Sequence, residues 1–211
     1  MKLHNYFRSS TSFRARIALN LKGLDYDYVS YHLRHGEQRS GKYLSVNPQG
    51  LVPALELDDG KVIAQSMAIL EYLDEAFPEP ALLPKDPFDR ALVRSLCYAI
   101  ACDIHPINNL RVLKYLGDPL GHDAEEVATW FRHWVTVEFD SLEPRLAETS
   151  GKYCVGDTVT MADICLVPQV INNTRFEVDM SRYPTINRIF DTCMALDAFD
   201  KAKPGNQPDA E

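Results

Sequence analysis

Leu51-Val52-Pro53-Ala54-Leu55-Glu56-Leu57-Asp58-Asp59-Gly60-Lys61-Val62-Ile63-Ala64-Gln65-Ser66-Met67-Ala68-Ile69-Leu70-Glu71-Tyr72-Leu73 is the stretch on which the fold turns. Two short apolar runs flank Asp58-Asp59-Gly60, a hairpin signal. From Gln65 the period changes: Leu70, Leu73 and Phe77 share one helical face until Pro78 and Pro80 stop it. Upstream, Lys2 to Tyr6 is a strand candidate, and Phe13, Ile17, Leu21 and Leu24 recur at helical spacing until Gly23 and Asp25 intervene. Tyr26 to Tyr31 is aromatic and β-branched, hence strand-like, while the polar stretch Arg34 to Asn47 has room only for a short irregular helix.

The order strand-helix-strand, then strand-strand-helix, predicts a thioredoxin-like α/β domain over residues 1–80. Four prolines between Pro78 and Pro87 mark a linker at 81–86. Residues 87–211 then read as an all-α domain with no strand signal. Phe88 to Tyr115 and Ala124 to Ala147 are long helix candidates, and Val127, Phe131, Trp134, Leu142 and Leu146 share a face of the second. Thr160-Met161-Ala162-Asp163 spaces a hydroxyl and a carboxylate as a capping box, with Asp in place of the usual Glu, before the apolar Ile164, Val167 and Val170. Pro184 opens a last helix through Cys193, and Pro204 to Glu211 reads as a tail.

Composition narrows the function. The 211 residues carry a formal charge of -8, so the averaged field repels nucleic acid and anionic membrane, and an anionic substrate needs a local basic cluster. No apolar run near Lys2 and Arg8 is long enough for a signal-peptide core or a membrane span, which makes the cytoplasm the expected location. Cys97, Cys102, Cys154, Cys165 and Cys193 form no CxxC pair and read as reduced, mostly buried thiols.

Arg8-Ser9-Ser10-Thr11-Ser12 falls between the first strand and the first helix, where unpaired N–H groups and the helix dipole favour an anion such as a bound thiolate; ordinary N-capping accounts for the hydroxyls as well. Val52-Pro53 is placed to offer a strand-like edge to a bound peptide, and Gln65-Ser66 to hold a ligand carboxylate or simply to cap. Pro106 kinks the helical stretch around Asp103-Ile104-His105-Pro106-Ile107-Asn108-Asn109 and frees carbonyls there. His105 has no second ligand at i+4, so no metal site is expected. Arg175 is a candidate for a substrate carboxylate, against the commoner surface salt bridge.

In order, the hydroxyl turn, Asn47-Pro48-Gln49-Gly50-Leu51-Val52-Pro53-Ala54-Leu55, the Gln65 helix, Cys154-Val155-Gly156-Asp157 and Thr160-Met161-Ala162-Asp163 resemble the glutathione transferase superfamily. Tyr6-Phe7-Arg8-Ser9-Ser10, Arg16-Ile17-Ala18-Leu19, Leu21-Lys22-Gly23, Leu82-Leu83-Pro84 and Leu166-Val167-Pro168-Gln169-Val170 look like its zeta class. The resemblance spans Met1 to about Pro208 and implies glutathione as cofactor, a homodimer and cis–trans isomerisation of a small conjugated diacid, maleylacetoacetate first. Maleylpyruvate isomerisation and conjugation or dehalogenation of small electrophiles are the alternatives, and a non-catalytic binding module is the rival from another class. It implies Ser9, Ser10 and Thr11 around the glutathione sulfur, with Ser10 foremost; Gln49, Val52 and Pro53 on the cysteinyl-glycine part; Gln65 and Ser66 on the γ-glutamyl end; Asn108 and Asn109 completing the site; and Arg8, His105 and Arg175 on the substrate. One departure is Thr11, where the zeta pattern carries cysteine.

Overall fold

The computed structural model describes residues 1–211. Its sheet comprises β1 (Lys2–Asn5), β2 (Asp27–Ser30), β3 (Ala54–Glu56) and β4 (Val62–Ala64) in the order β2-β1-β3-β4. β1 pairs parallel to β2 and antiparallel to β3, which pairs antiparallel to β4. The register sets Leu3 beside Leu55 and Leu55 beside Ile63, and the first two are fully buried. The expected strand at 51–57 shortens to β3 because Pro53 has no N–H to donate to a ladder. Gly60 turns the hairpin at φ +83°, open to glycine without strain.

Helix α1 (Ser10–Leu21) packs against α3 (Ser66–Ala76). Between β2 and β3 the polar stretch forms a 3-10 turn at Glu37–Arg39 and the short helix α2 (Gly41–Leu44). The rest is helical: α4 (Pro87–Tyr98), a π-helical turn at Ala99–Ile104, α5 (Leu110–Gly117), α6 (Ala124–Thr149), α7 (Met161–Arg175), α8 (Pro184–Met194) and α9 (Asp197–Ala202). The long helix expected over 88–115 is therefore broken. The His105 N–H reaches back five residues to Ile100, and Asn109 caps a new helix. The Ile107 carbonyl, which loses its helical partner because Asn109 caps the Arg111 N–H, accepts from the Trp130 indole at 3.0 Å.

The thioredoxin-like and helical parts are both present, but the chain divides differently from the sequence reading. One compact unit is Met1–Leu82 together with Met194–Glu211, and the other is Leu83–Cys193. Residues 194–211, expected to be a helical end and a tail of the second domain, belong to the first. The cause is Arg16 on α1, fully buried, whose Nε donates to the Ala202 carbonyl at 3.0 Å. Asn20 donates to Ala198 at 2.9 Å, and Phe199 is wholly buried. No local periodicity in 197–211 announces a partner so distant in sequence.

In the helical unit, Thr160 and Asp163 form the expected capping box, each side chain accepting from the other's backbone N–H region. Asp163 is fully buried and accepts from the N–H groups of Cys154 and Thr160 at 2.8 Å each, from the Thr160 hydroxyl at 3.1 Å and from the Cys193 thiol at 3.8 Å.

Candidate active site

β1 delivers the chain to Tyr6, and Ser9 caps α1: its backbone is extended and its Oγ accepts from the Ser12 N–H at 3.2 Å. Thr11 donates its hydroxyl to the Val52 carbonyl at 3.0 Å and lies 2.9 Å from Ser9 Oγ. With the Thr11 proton directed to Val52, Ser9 donates to Thr11, so one chain of hydrogen bonds runs from Ser12 through both hydroxyls to Val52. Ser9 and Thr11 thus shape the turn and join it to the loop before β3. Ser10, buried at the first position of α1, stands where that helix's unpaired N–H groups give positive potential. Arg8 is half-buried, its guanidinium 5.8 Å from the centre of the Phe7 ring.

This turn is held from below. Arg16 donates to Asn5 Oδ1 at 3.0 Å and to the carbonyls of Tyr6 at 3.3 Å and Phe7 at 3.0 Å. Burial pulls its guanidinium down to about 10, still positive at neutral pH. The Asp209 carboxylate accepts from the Phe7 N–H at 3.2 Å and from the Tyr28 hydroxyl at 2.5 Å. Burial, and next the bond to Asp209, push the Tyr28 phenol up, so it stays a donor. Asp209→Ala strands both donors and is expected to cost about 1–3 kcal/mol, read as a lower denaturant midpoint at unchanged slope.

The second part of the site is the loop before β3. Val52-Pro53 is a cis peptide. Buried Asn47 donates to the Leu51 carbonyl at 2.7 Å and accepts from the Gln49 N–H at 3.1 Å, and Tyr43 donates to the same carbonyl at 2.5 Å. Gly50 sits at φ +62°, and a Cβ there would meet the Gln38 carbonyl at 3.0 Å, so glycine is required. Exposed Gln65 donates its amide to exposed Gln49 at 3.0 Å. Gln65 precedes α3 at φ +73°, a strained conformation for a residue with a Cβ, of the kind that collects at binding sites. Ser66 is the first helical residue rather than the cap. Its Oγ accepts instead from Arg14 at 3.4 Å. The N-terminal unit therefore offers donors at the starts of both α1 and α3, a set that suits an elongated ligand with an anion toward each end.

The helical unit holds the remaining candidates. Asn108 is buried and donates to the Phe131 carbonyl at 3.3 Å, which ties it into the helix packing. Asn109 caps α5 through its Oδ1, which accepts from the Arg111 N–H, and its Nδ2 lies 3.2 Å from His105 Nε2. Arg175 ends α7, donates to Asn172 at 3.1 Å and lies 5.9 Å from the Phe176 ring, which stacks on Phe131 at 3.8 Å. Asn108 and Arg175 are thus linked through that aromatic pair. A cavity of about 590 Å3 in this unit is lined by Leu116, Trp130 and Trp134 among others, and by none of these candidates.

All five cysteines are free and four are buried; burial pushes the Cys154 and Cys193 thiols up, which keeps them protonated. No group of three His, Cys, Asp or Glu side chains is placed to hold a metal ion, and no helix is long and apolar enough to cross a membrane. The structural roles of Arg14 and Arg16, both under the turn, escaped the sequence reading, in which Arg16 figured only within a motif of resemblance. The available signal was two arginines interrupting the apolar run from Phe13 to Leu21.

Residues 8–76 match the family model of the glutathione S-transferase N-terminal domain, and residues 114–197 that of the C-terminal domain. A probable maleylacetoacetate isomerase of Vibrio cholerae is 49% identical over 210 residues, covering 99% of this chain and 97% of that protein. The holo structure of a maleylpyruvate isomerase, a bacterial zeta-class enzyme, superposes with a TM-score of 0.97 at 47% identity, covering 100% of both chains. Maleylacetoacetate isomerase from Methylobacterium extorquens AM1, solved with bound malonate and glutathione, gives a TM-score of 0.97 at 40% identity over 100% of both chains. The chain belongs to the glutathione S-transferase family, in its zeta class.

Proposed function

We propose that this protein is a glutathione-dependent cis–trans isomerase that converts maleylacetoacetate to fumarylacetoacetate. The observation that carries the reading is the hydroxyl turn Ser9-Ser10-Thr11 at the start of α1, locked to Val52 and held in one unit with Gln65 and Ser66 at the start of α3. The relatives' names and their bound glutathione and malonate point the same way. When bound, glutathione supplies a thiolate that adds to the cis double bond, permits rotation about the resulting single bond and leaves as the trans alkene forms.

The protein's part is to hold that sulfur as an anion and to bind the diacid. Ser10 donates to the sulfur at the dipole-positive end of α1, which favours thiolate over thiol. Gln49, Val52 and Pro53 take the cysteinyl-glycine backbone, Gln65 and Ser66 the γ-glutamyl end, and Asn108 and Asn109 complete the site. For the substrate carboxylates the N-terminal unit offers Arg8, and the helical unit offers Arg175 and His105. The two arginines supply locally the attraction that a net charge of -8 denies overall, with His105 as a hydrogen-bonding partner.

Arg175→Ala is expected to raise KM for the diacid about 10- to 100-fold with a smaller change in kcat, the signature of a lost charge-assisted bond made before and during the reaction. The decisive assay mixes purified protein with maleylacetoacetate, with and without glutathione, and follows absorbance of the trans product. Turnover confined to the glutathione arm supports the reading, and its absence in both arms removes it. Maleylpyruvate, the alternative substrate, is compared in the same assay along with an α-halo acid. A cytoplasmic homodimer belongs to this proposal. The free cysteines suit a reducing compartment, and sedimentation measures the assembly.

A further inference from the structure

The cavity of about 590 Å3 in the helical unit is bounded by Leu116 of α5 and by the first part of α6, and no residue assigned above to glutathione or to the diacid lines it. Protein interiors leave few voids larger than a water molecule, whereas this volume lies in the range of small-molecule sites, about 300–1,000 Å3. The space exists because α5 buries none of its residues: Leu116 is only half-buried and Tyr115 is 60% exposed. The wall is aromatic. Trp130 and Trp134, the chain's only two tryptophans, meet edge to face at 5.6 Å, and the His133 ring stands edge to face on Trp134 at 5.0 Å. The carboxylates at the rim are already engaged: Glu125 pairs with Arg132, and Glu126 accepts from the Asp123 N–H at 2.9 Å and lies 3.3 Å from His122. An ion finds no free counter-charge here, so the wall suits a neutral flat ring, which aromatic side chains receive by offset or edge-to-face stacking. One donor in the wall is unanswered. Trp130 Nε1 donates to the Ile107 carbonyl at 3.0 Å, but Trp134 Nε1 is buried and has no acceptor. A buried indole N–H ordinarily has a partner, and leaving it without one costs about 1–3 kcal/mol.

We propose that this cavity is a second ligand site, for a neutral, planar aromatic molecule whose acceptor atom takes the Trp134 indole N–H while its rings lie against Trp130 and Leu116. Helix α5, which buries no side chain, is the element that yields as the ring enters and the acceptor reaches the covered nitrogen. The proposal goes beyond the glutathione reading and does not depend on it, because the two sites share no residue.

The test uses quinoline, uncharged at neutral pH, and naphthalene, which has the same shape without the ring nitrogen. Two tryptophans give two indole N–H signals in the 15N-labelled protein, and Trp134→Phe, which keeps a ring in the wall and removes the donor, identifies them by the signal it deletes. Quinoline is expected to move the Trp134 signal downfield as its N–H gains an acceptor, and naphthalene to perturb both signals without that downfield move. The ratio of quinoline affinity to naphthalene affinity is expected to fall about 10-fold in Trp134→Phe, read from the Trp130 signal; each ligand's own preference for water cancels in that comparison. An unchanged ratio overturns the proposal, as does a failure of both probes to move either signal. Should Trp134→Phe not fold, equal displacement of the unaltered protein's signals by the two probes overturns it as well. Loss of the shifts on adding glutathione would place the probes in the tripeptide site, and shifts produced by raising the protein concentration alone would assign this face to a second copy of the chain; either result defeats the proposal and leaves the glutathione reading intact.

Discussion

Ser10→Ala is expected to lower kcat about 100- to 1000-fold at saturating glutathione, the range seen when one preorganised donor to a developing or resident anion is removed. The loss should come with a moved pH profile. A free thiol ionises near 8.5, and a donor plus the α1 dipole pull the bound sulfur below that value, so the acid limb of the unaltered enzyme lies at lower pH. Without Ser10 that limb is expected to rise by about one pH unit or more, and activity lost at pH 7 returns in part at pH 9. Ser9→Ala makes the contrast. Ser9 accepts from the Ser12 N–H as the cap of α1, so its removal is expected to cost about 1 kcal/mol of stability. A Ser10→Ala enzyme with normal kcat and an unmoved pH profile would take the sulfur away from this hydroxyl.

The second large effect is on folding. Asp163→Ala strands the buried N–H groups of Cys154 and Thr160 and undoes the capping box of α7. A loss of about 3–5 kcal/mol is expected, read by denaturant titration, because each stranded donor and the missing cap contribute separately. The pH dependence has a defined sign. Burial raises the Asp163 carboxyl above its ordinary value of 3.8, against the hydrogen bonds it accepts. Its folded pKa therefore exceeds its unfolded one, and between the two the native state binds more protons. This group's contribution is fully present below 3.8 and is lost as the pH rises through the raised value. Asp163→Asn removes that slope while keeping one acceptor oxygen, so it separates the charge from the geometry.

What could be read in advance follows from how local each determinant is. The hairpin around Asp58-Asp59-Gly60, the α3 face of Leu70 and Leu73 and the Thr160–Asp163 box are set by neighbours within a few residues, and the structure has all three. Nothing of that kind encodes α9, because its partners are Arg16 and Asn20 on α1. The break at 99–109 was visible only as a kink at Pro106; the π-helical turn and the fresh cap at Asn109 depend on how Trp130 and Phe131 of α6 take up Ile107 and Asn108. Within the site, the hydroxyl turn and the Gln65-Ser66 pair were legible as residue types in sequence order. That Ser9 and Thr11 spend their hydroxyls on each other and on Val52, and that Ser66 accepts from Arg14, depends on side-chain directions that spacing does not reveal.

The assignment of residues 194–211 to the N-terminal unit also sets an order of assembly on the ribosome. Residues 1–82 are translated first, yet the carbonyl that receives Arg16 Nε and the carboxylate that receives the Phe7 N–H emerge only after the whole helical unit has been made. Until then the buried guanidinium lacks one of its four acceptors and α1 lacks its α9 cover. The portion synthesised earliest is thus the one completed last, and a nascent chain halted before residue 194 would carry all of the helical unit but an N-terminal unit still without α9.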